Sequence, residues 1–187
     1  HSLETAQSKM VHPWEENRGI SQSFGYNWQD TEESVISVEE FIHMFIRVVS
    51  LNGNLLLIVN LDGQGALPEV QERRLREIGK WLDVNGEAIY GSRPWLVAQE
   101  GEKVRFTRSK DGNYVYAICK EWPGEELRLQ SVFLAGENPE VRMLGTDRQL
   151  EYSYEAKKWG RLVVQIPESL KEEKPCDYAW VIKMQLK

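Results

Sequence analysis

Cysteine is scarce: Cys119 and Cys176 are the only two in 187 residues, too few for a disulfide framework or, by themselves, a zinc site. They stand either as buried free thiols or as one disulfide. Long apolar runs are missing as well. The stretch Leu55 to Val59 falls far short of the roughly 20 residues that a membrane-spanning helix needs, so no membrane partner is expected. Positive charge is in deficit. Twenty-three Lys and Arg against 29 Asp and Glu leave a net charge of −6, which offers no field to gather phosphate backbones and argues against nucleic acid as a partner. There is no H-E-x-x-H, no G-x-x-x-x-G-K-[ST] and no G-x-G-x-x-G, so the common zinc, phosphate-loop and dinucleotide chemistries have no footing. His1, His12 and His43 have no partners at ligand spacing, and Ser23 and Cys119 have no recognisable base. Neither a metal, a cofactor nor nucleophilic catalysis by these groups is expected. Internal repeats and low-complexity tracts are also absent.

What is present is an ordinary folded composition, 41% apolar and 28% charged, at a length that allows one large domain or slightly more. The chain opens at His1 with neither a methionine nor a signal peptide, so it is expected to be part of something longer. Its character changes near Pro94. Before that point, Ser37-Val38-Glu39-Glu40 forms a capping box that should start a helix. Val38, Phe41, Ile42, Phe45, Val48 and Val49 then repeat at helical spacing, and Gly53 is expected to end the helix in the left-handed conformation. The run Leu55–Val59 shows no alternation and predicts a strand covered on both faces in a parallel sheet. A loop with Asp62, Gly63 and Gly65 follows. Pro68 suits a first helical turn, Leu75, Ile78 and Leu82 share a face, and Gly86 ends the pattern.

Helix, buried strand, loop and helix make a fragment of a β/α architecture, too short to close a doubly covered sheet. The remaining units are expected upstream of His1. After Pro94 the pattern predicts strands over 104–109, 114–120, 127–133, 141–144, 149–154, 162–166 and 178–186, with Asp111-Gly112-Asn113 as a hairpin turn. That spacing favours an antiparallel sandwich. The expected fold is therefore α/β plus all-β, with residues 1–95 and 96–187 as the two parts.

The chemistry concentrates in the first 30 residues. Glu4, Trp14-Glu15-Glu16, Arg18-Gly19 and Ser23-Phe24-Gly25-Tyr26-Asn27-Trp28 mix carboxylates, an arginine and aromatics in a stretch without clear helical or strand period. Aromatic faces stack on the apolar C–H patches of a sugar while carboxylates and amides bond its hydroxyls. The same pattern also describes an irregular connection that packs its aromatics into the core.

At these residues a family resemblance enters. Trp14-Glu15, Arg18-Gly19-Ile20 and Ser23-Phe24-Gly25-Tyr26-Asn27 resemble the late-barrel segment of the α-L-fucosidases, family 29 of the glycoside hydrolases. Asn52-Gly53-Asn54-Leu55-Leu56-Leu57 is similar to the family's eighth-strand signature, and Gln71 through Gly91 resembles its last barrel helix and exit. Asn60 to Gly65 is shorter and less proline-rich than the corresponding family loop.

The resemblance implies the end of a catalytic (β/α)8 TIM barrel followed by a β-sandwich, in a retaining exo-α-L-fucosidase that removes terminal fucose from a glycan or small fucoside. It implies a nucleophilic aspartate on an earlier strand, so the upstream barrel segment is an expected partner and the isolated chain is expected to be inactive. It also implies a secreted, periplasmic or lysosomal setting. Glu4 is the expected acid/base, with Glu15 as the alternative and with Gln7 on that position under a shifted alignment. Phe24 matches the aromatic at the apolar end of fucose, and Trp14 and Tyr26 are expected beside it. The competing expectation is a non-catalytic carbohydrate-binding or accessory sandwich that presents Trp122 or Trp159.

Overall fold

The computed structural model describes residues 11–155 and 160–186. Strand β1 (Trp14–Gly19) runs parallel to β2 (Gly53–Ile58), with Trp14 opposite Gly53 and Gly19 opposite Ile58. The connection between them carries helix α1 (Val38–Ser50). The capping box forms as the sequence predicts: the Ser37 hydroxyl accepts from the Glu40 N–H at 3.2 Å, and the Ser37 N–H donates to the Glu40 carboxylate at 3.3 Å. At the other end the expectation for Gly53 needs correcting. Leu51 is the cap, Asn52 takes the left-handed conformation at φ 67°, and Gly53 is the first residue of β2.

Helix α2 (Glu69–Asn85) begins directly after Pro68 and runs into a short 3-10 turn, Gly86–Ala88. Its buried face holds Gln71, Ile78, Trp81 and Asn85, while Leu75 and Leu82 lie half-buried beside it. Strand β2 is covered on one face among the described residues. Leu55 and Leu57 pack toward the helices, whereas Leu56 on the other face is exposed.

The remainder is antiparallel. Strands β3 (Arg93–Glu100), β4 (Val104–Arg108), β5 (Tyr114–Cys119), β10 (Trp180–Gln185) and β7 (Val141–Met143) form a five-stranded sheet in that order. Strands β6 (Glu126–Leu129), β9 (Leu162–Gln165) and β8 (Tyr152–Tyr154) form the three-stranded sheet that faces it. A short helix α3 (Glu168–Glu172) precedes β10. The hairpin at Asp111 joins β4 to β5, with the Gly112 N–H donating to the Ser109 carbonyl at 3.0 Å. Strand β3 was not expected. It starts at Arg93, and its register slips between Pro94 and Gln99, so no clean alternation marks it in the sequence.

Each face of the five-stranded sheet has its own apolar partner. Val115, Ala117, Cys119, Ile182 and Met184 point into the sandwich with Leu129, Leu162 and Val164. Their neighbours Tyr116, Ile118 and Val181 point the other way, against Ile42, Ile46, Ile78 and Trp81 of the helices. Alternation of side chains along β5 and β10 thus serves two cores, giving three layers: helices, five-stranded sheet, three-stranded sheet.

Candidate functional site

Because β1 and β2 are parallel and in register, the loops that follow them leave the sheet at the same end. The first loop is drawn in by the Ile20 N–H donating to the Ile58 carbonyl at 2.9 Å, and by the Ile36 N–H donating back to Ile20 at 2.9 Å. The second loop starts with Asn60, 3% exposed, whose N–H donates to the side-chain carbonyl of fully buried Gln71 at 3.1 Å. The Asn60 amide reaches across to the first loop, donating to Ser21 Oγ at 3.1 Å and to the Ser23 carbonyl at 3.3 Å. Ser23 Oγ then donates to the Gly25 carbonyl at 2.6 Å, tightening the turn around Phe24.

Further along, Asp30 Oδ1 accepts from Asn27 at 3.3 Å and from Ser34 at 3.2 Å. Glu32 is held by Arg73 and by Arg74, the latter at 3.0 Å. Asp62 shapes the second loop by accepting from the Gln64 and Ala66 N–H groups, each at 2.8 Å. On this frame Phe24, Tyr26 and Trp28 stand 67%, 50% and 77% exposed. Large aromatic side chains seldom face water together unless something else covers them.

The expected site residues separate. Phe24 and Tyr26 lie in the one loop at the C-terminal end of β1. Trp14 opens that strand at its other end. Its indole N–H donates to the Leu51 carbonyl at 2.8 Å, and its ring lies against Gly53 and Val48 on the helix side. Glu15 is exposed next to it, paired in register with Asn54, roughly 13 Å of strand from the loop end. Glu4 and Gln7 lie outside the described residues, as does Trp159. Trp122 is half-buried, edge-on to Trp180 at 5.4 Å, with Lys174 Nζ 5.4 Å from its ring.

Both cysteines are free thiols. Cys119 is buried in the sandwich core, and burial pushes its thiol up to about 12. Burial also raises Cys176, whose Sγ donates to the Ala179 carbonyl at 3.2 Å. His43 Nε2 lies 2.9 Å from the Tyr178 carbonyl, which can only accept, so that nitrogen carries the proton. Among the described residues no group of three or more His, Cys, Asp or Glu is placed to hold a metal ion. No described helix is long and apolar enough to cross a membrane.

Sequence reasoning passed over Asn60 and Gln71. Gln71 occupies the helical position four before Leu75 and seven before Ile78, and a polar residue at a core position was the available signal. A second missed group joins the two parts of the fold. Lys183, with a 9% exposed side chain, donates to Glu87 at 2.6 Å, and the Tyr116 hydroxyl donates to the same carboxylate at 2.9 Å. Burial raises the Glu87 carboxyl, but the bonds from Lys183 and Tyr116 outweigh it and hold the group below its ordinary value. Burial and Glu87 raise the Tyr116 phenol.

With this geometry in view, two family patterns match the chain: α-L-fucosidase over residues 3–87 and the α-L-fucosidase C-terminal domain over residues 99–185. Tissue α-L-fucosidase of Homo sapiens is 33% identical over 180 residues, which is 95% of this chain and 38% of that protein. The Bos taurus protein is 37% identical over 175 residues, 92% of this chain and 36% of its own length. A crystal structure of Thermotoga maritima α-fucosidase in complex with a mechanism-based inhibitor superposes with a TM-score of 0.79 at 32% identity, over 94% of this chain and 40% of that one. The complex of that enzyme with fucose gives a TM-score of 0.77. The chain therefore spans about two fifths of the length of the relatives it matches.

Proposed function

The chain belongs to the α-L-fucosidase family, matching the C-terminal part of its members, and from that premise we propose that it builds one wall of a retaining exo-α-L-fucosidase site. The observation that carries this reading is the loop after β1, which holds Phe24 and Tyr26 out to solvent at the C-terminal end of a parallel strand pair. Barrel enzymes assemble their sites at that end. The T. maritima relative holds fucose, and a fucoside, either a glycan terminus or a small aryl fucoside, is the substrate proposed here.

The fucose ring would rest its apolar side on Phe24, with Tyr26 beside it. Retention needs two carboxyl groups about 5 to 5.5 Å apart, one attacking the anomeric carbon and one protonating the leaving oxygen. Glu4 is proposed as the acid/base. Glu15 is the alternative, and its place near the start of β1 counts against it, since the acid must reach the mouth of the barrel. Trp14, at the far end of β1, is not proposed to touch the sugar; its indole holds the Leu51 carbonyl and lies against Gly53. The nucleophile is proposed to come from an upstream barrel segment, because the aspartates here do not stand in the family's nucleophile setting. The same proposal divides the chain at residues 95 and 96 into barrel end and sandwich; that cut falls inside β3, whose antiparallel pairing with β4 begins at Arg93, so the whole of β3 belongs with the sandwich.

Residues 1–187 alone should leave an aryl α-L-fucoside intact, and joining the upstream segment should produce hydrolysis with retained anomeric configuration. In that active form Glu4→Gln should most slow substrates with poor leaving groups, and added azide should restore turnover of activated ones. Leaving-group dependence and azide rescue in Glu15→Gln instead would reverse the assignment. Turnover by the pure 187-residue chain would refute the upstream nucleophile.

A further inference from the structure

We propose that Asn60 is a positioning residue whose side chain sets the place of Phe24, and that this brace governs how tightly the sugar is held rather than how fast its bond breaks. The inference rests on the fucosidase reading above. Phe24 is 67% exposed, so packing against its ring does little to restrain it within the chain. Its position comes from its backbone.

That backbone is tied at the residue just before it. The Ser23 carbonyl accepts from the Asn60 amide at 3.3 Å and from Ser21 Oγ at 3.3 Å, so two donors converge on one peptide. Ser23 Oγ closes the turn on the far side by donating to Gly25. The loop also folds back so far that a Cβ on Gly19 would sit 3.0 Å from the carbonyl oxygens of both Ser21 and Ser23. Asn60 is itself held by Gln71 of α2, and the pair are 3% and 0% exposed. The Asn60–Gln71 bond is buried, where a lost partner is not readily replaced by water, so the anchor it gives Asn60 is stiff.

The buried amide nitrogen of Gln71 has no hydrogen-bond partner among the described residues. This buried polar side chain thus carries a cost in the core, and what its carbonyl does there is accept from the Asn60 N–H and hold Asn60 in place. Through Asn60, helix α2 and both loops set one aromatic ring.

A ring that touches the apolar side of fucose does so before and during bond cleavage alike, and losing such a contact raises KM without lowering kcat. The test uses the chain together with its upstream barrel segment and an aryl α-L-fucoside. Asn60→Ala should raise KM about tenfold with kcat changed by less than about twofold, and Ser21→Ala should move KM the same way by less. Hydrogen exchange at residues 22–26 should quicken in both variants while exchange in α1 and β5 stays as it was. A fall in kcat at constant KM, or unchanged exchange in the loop of Ser21→Ala, would overturn the inference. If the unsubstituted protein fails to hydrolyse the fucoside, the functional reading falls with the kinetic half of this one, and the exchange measurement still decides whether the brace exists.

Discussion

Gly53 shows at the scale of one residue how β1 closes against β2 and α1. A Cβ there would lie 2.7 Å from the Trp14 ring and 2.7 Å from Val48 Cγ1, so the absence of a side chain is what lets the indole reach Leu51. Gly53→Ala should therefore destabilise the chain by about 1 to 3 kcal/mol, the usual cost of overpacking, measured by urea unfolding. Glu87 offers a pH test. Its carboxyl is held below the ordinary value of 4.5 by Lys183 and Tyr116, so the stability it contributes is present above about that pH and is lost as pH falls through the lower folded value. Because its side chain is 43% exposed, screening limits the contribution, and Glu87→Gln should cost about 1 kcal/mol at pH 7. Thermal scans of parent and variant should converge as the pH is lowered below the ordinary value of 4.5; a gap that stays constant through that acid range would refute the linkage.

At the scale of elements, the segment leading into β10 works as a clasp. The Ala179 carbonyl accepts from Trp81 of α2 at 2.9 Å, the Tyr178 carbonyl from His43 of α1 at 2.9 Å, and the Tyr178 hydroxyl donates to Glu77 at 3.0 Å. Gly145, at φ 83°, lets the turn after β7 approach Pro175 and Val84, either of which would sit 2.7 Å from an added Cβ. A methyl group there must both strain the backbone and pry the turn from α2. Gly145→Ala should lower the melting temperature more than Gly136→Ala, where the φ is also positive but the space is open. Equal losses would show that only backbone strain matters at Gly145.

For the whole molecule, the two-sided burial of β5 and β10 decides how the proposed parts depend on each other. A boundary near Pro94 invites the expectation of a separable sandwich. Yet Tyr116, Ile118 and Val181 find their cover in α1 and α2, and removing the helices would expose that apolar face. Residues 93–187, which keep β3 whole, should when expressed alone bind a hydrophobic dye and unfold without a sharp transition, whereas the 187-residue chain should melt as one unit. A compact, cooperative 93–187 fragment would show that the helices only lean on a core already sufficient.

What the sequence determined by itself was local or periodic: the capping box at Ser37, the apolar run that became β2, the hairpin at Asp111, and the strand periods of β4, β5 and β10. Those signals act between residues a few positions apart, and short-range sterics and hydrogen bonds suffice to express them. Tertiary structure alone decided the rest. Trp-Glu-Glu-Asn-Arg-Gly has no strand pattern of its own and became β1 because β2 supplied its hydrogen bonds. Asn60 meets Ser21 across 39 positions, and Trp81 meets Ala179 across 98. No window of sequence contains both members of such a pair. The first bond exists because the in-register β1–β2 pair brings the two loops that follow it together, and the second because packing the helices on the five-stranded sheet expels water where α2 meets the segment before β10, so that the Trp81 N–H must find a partner there.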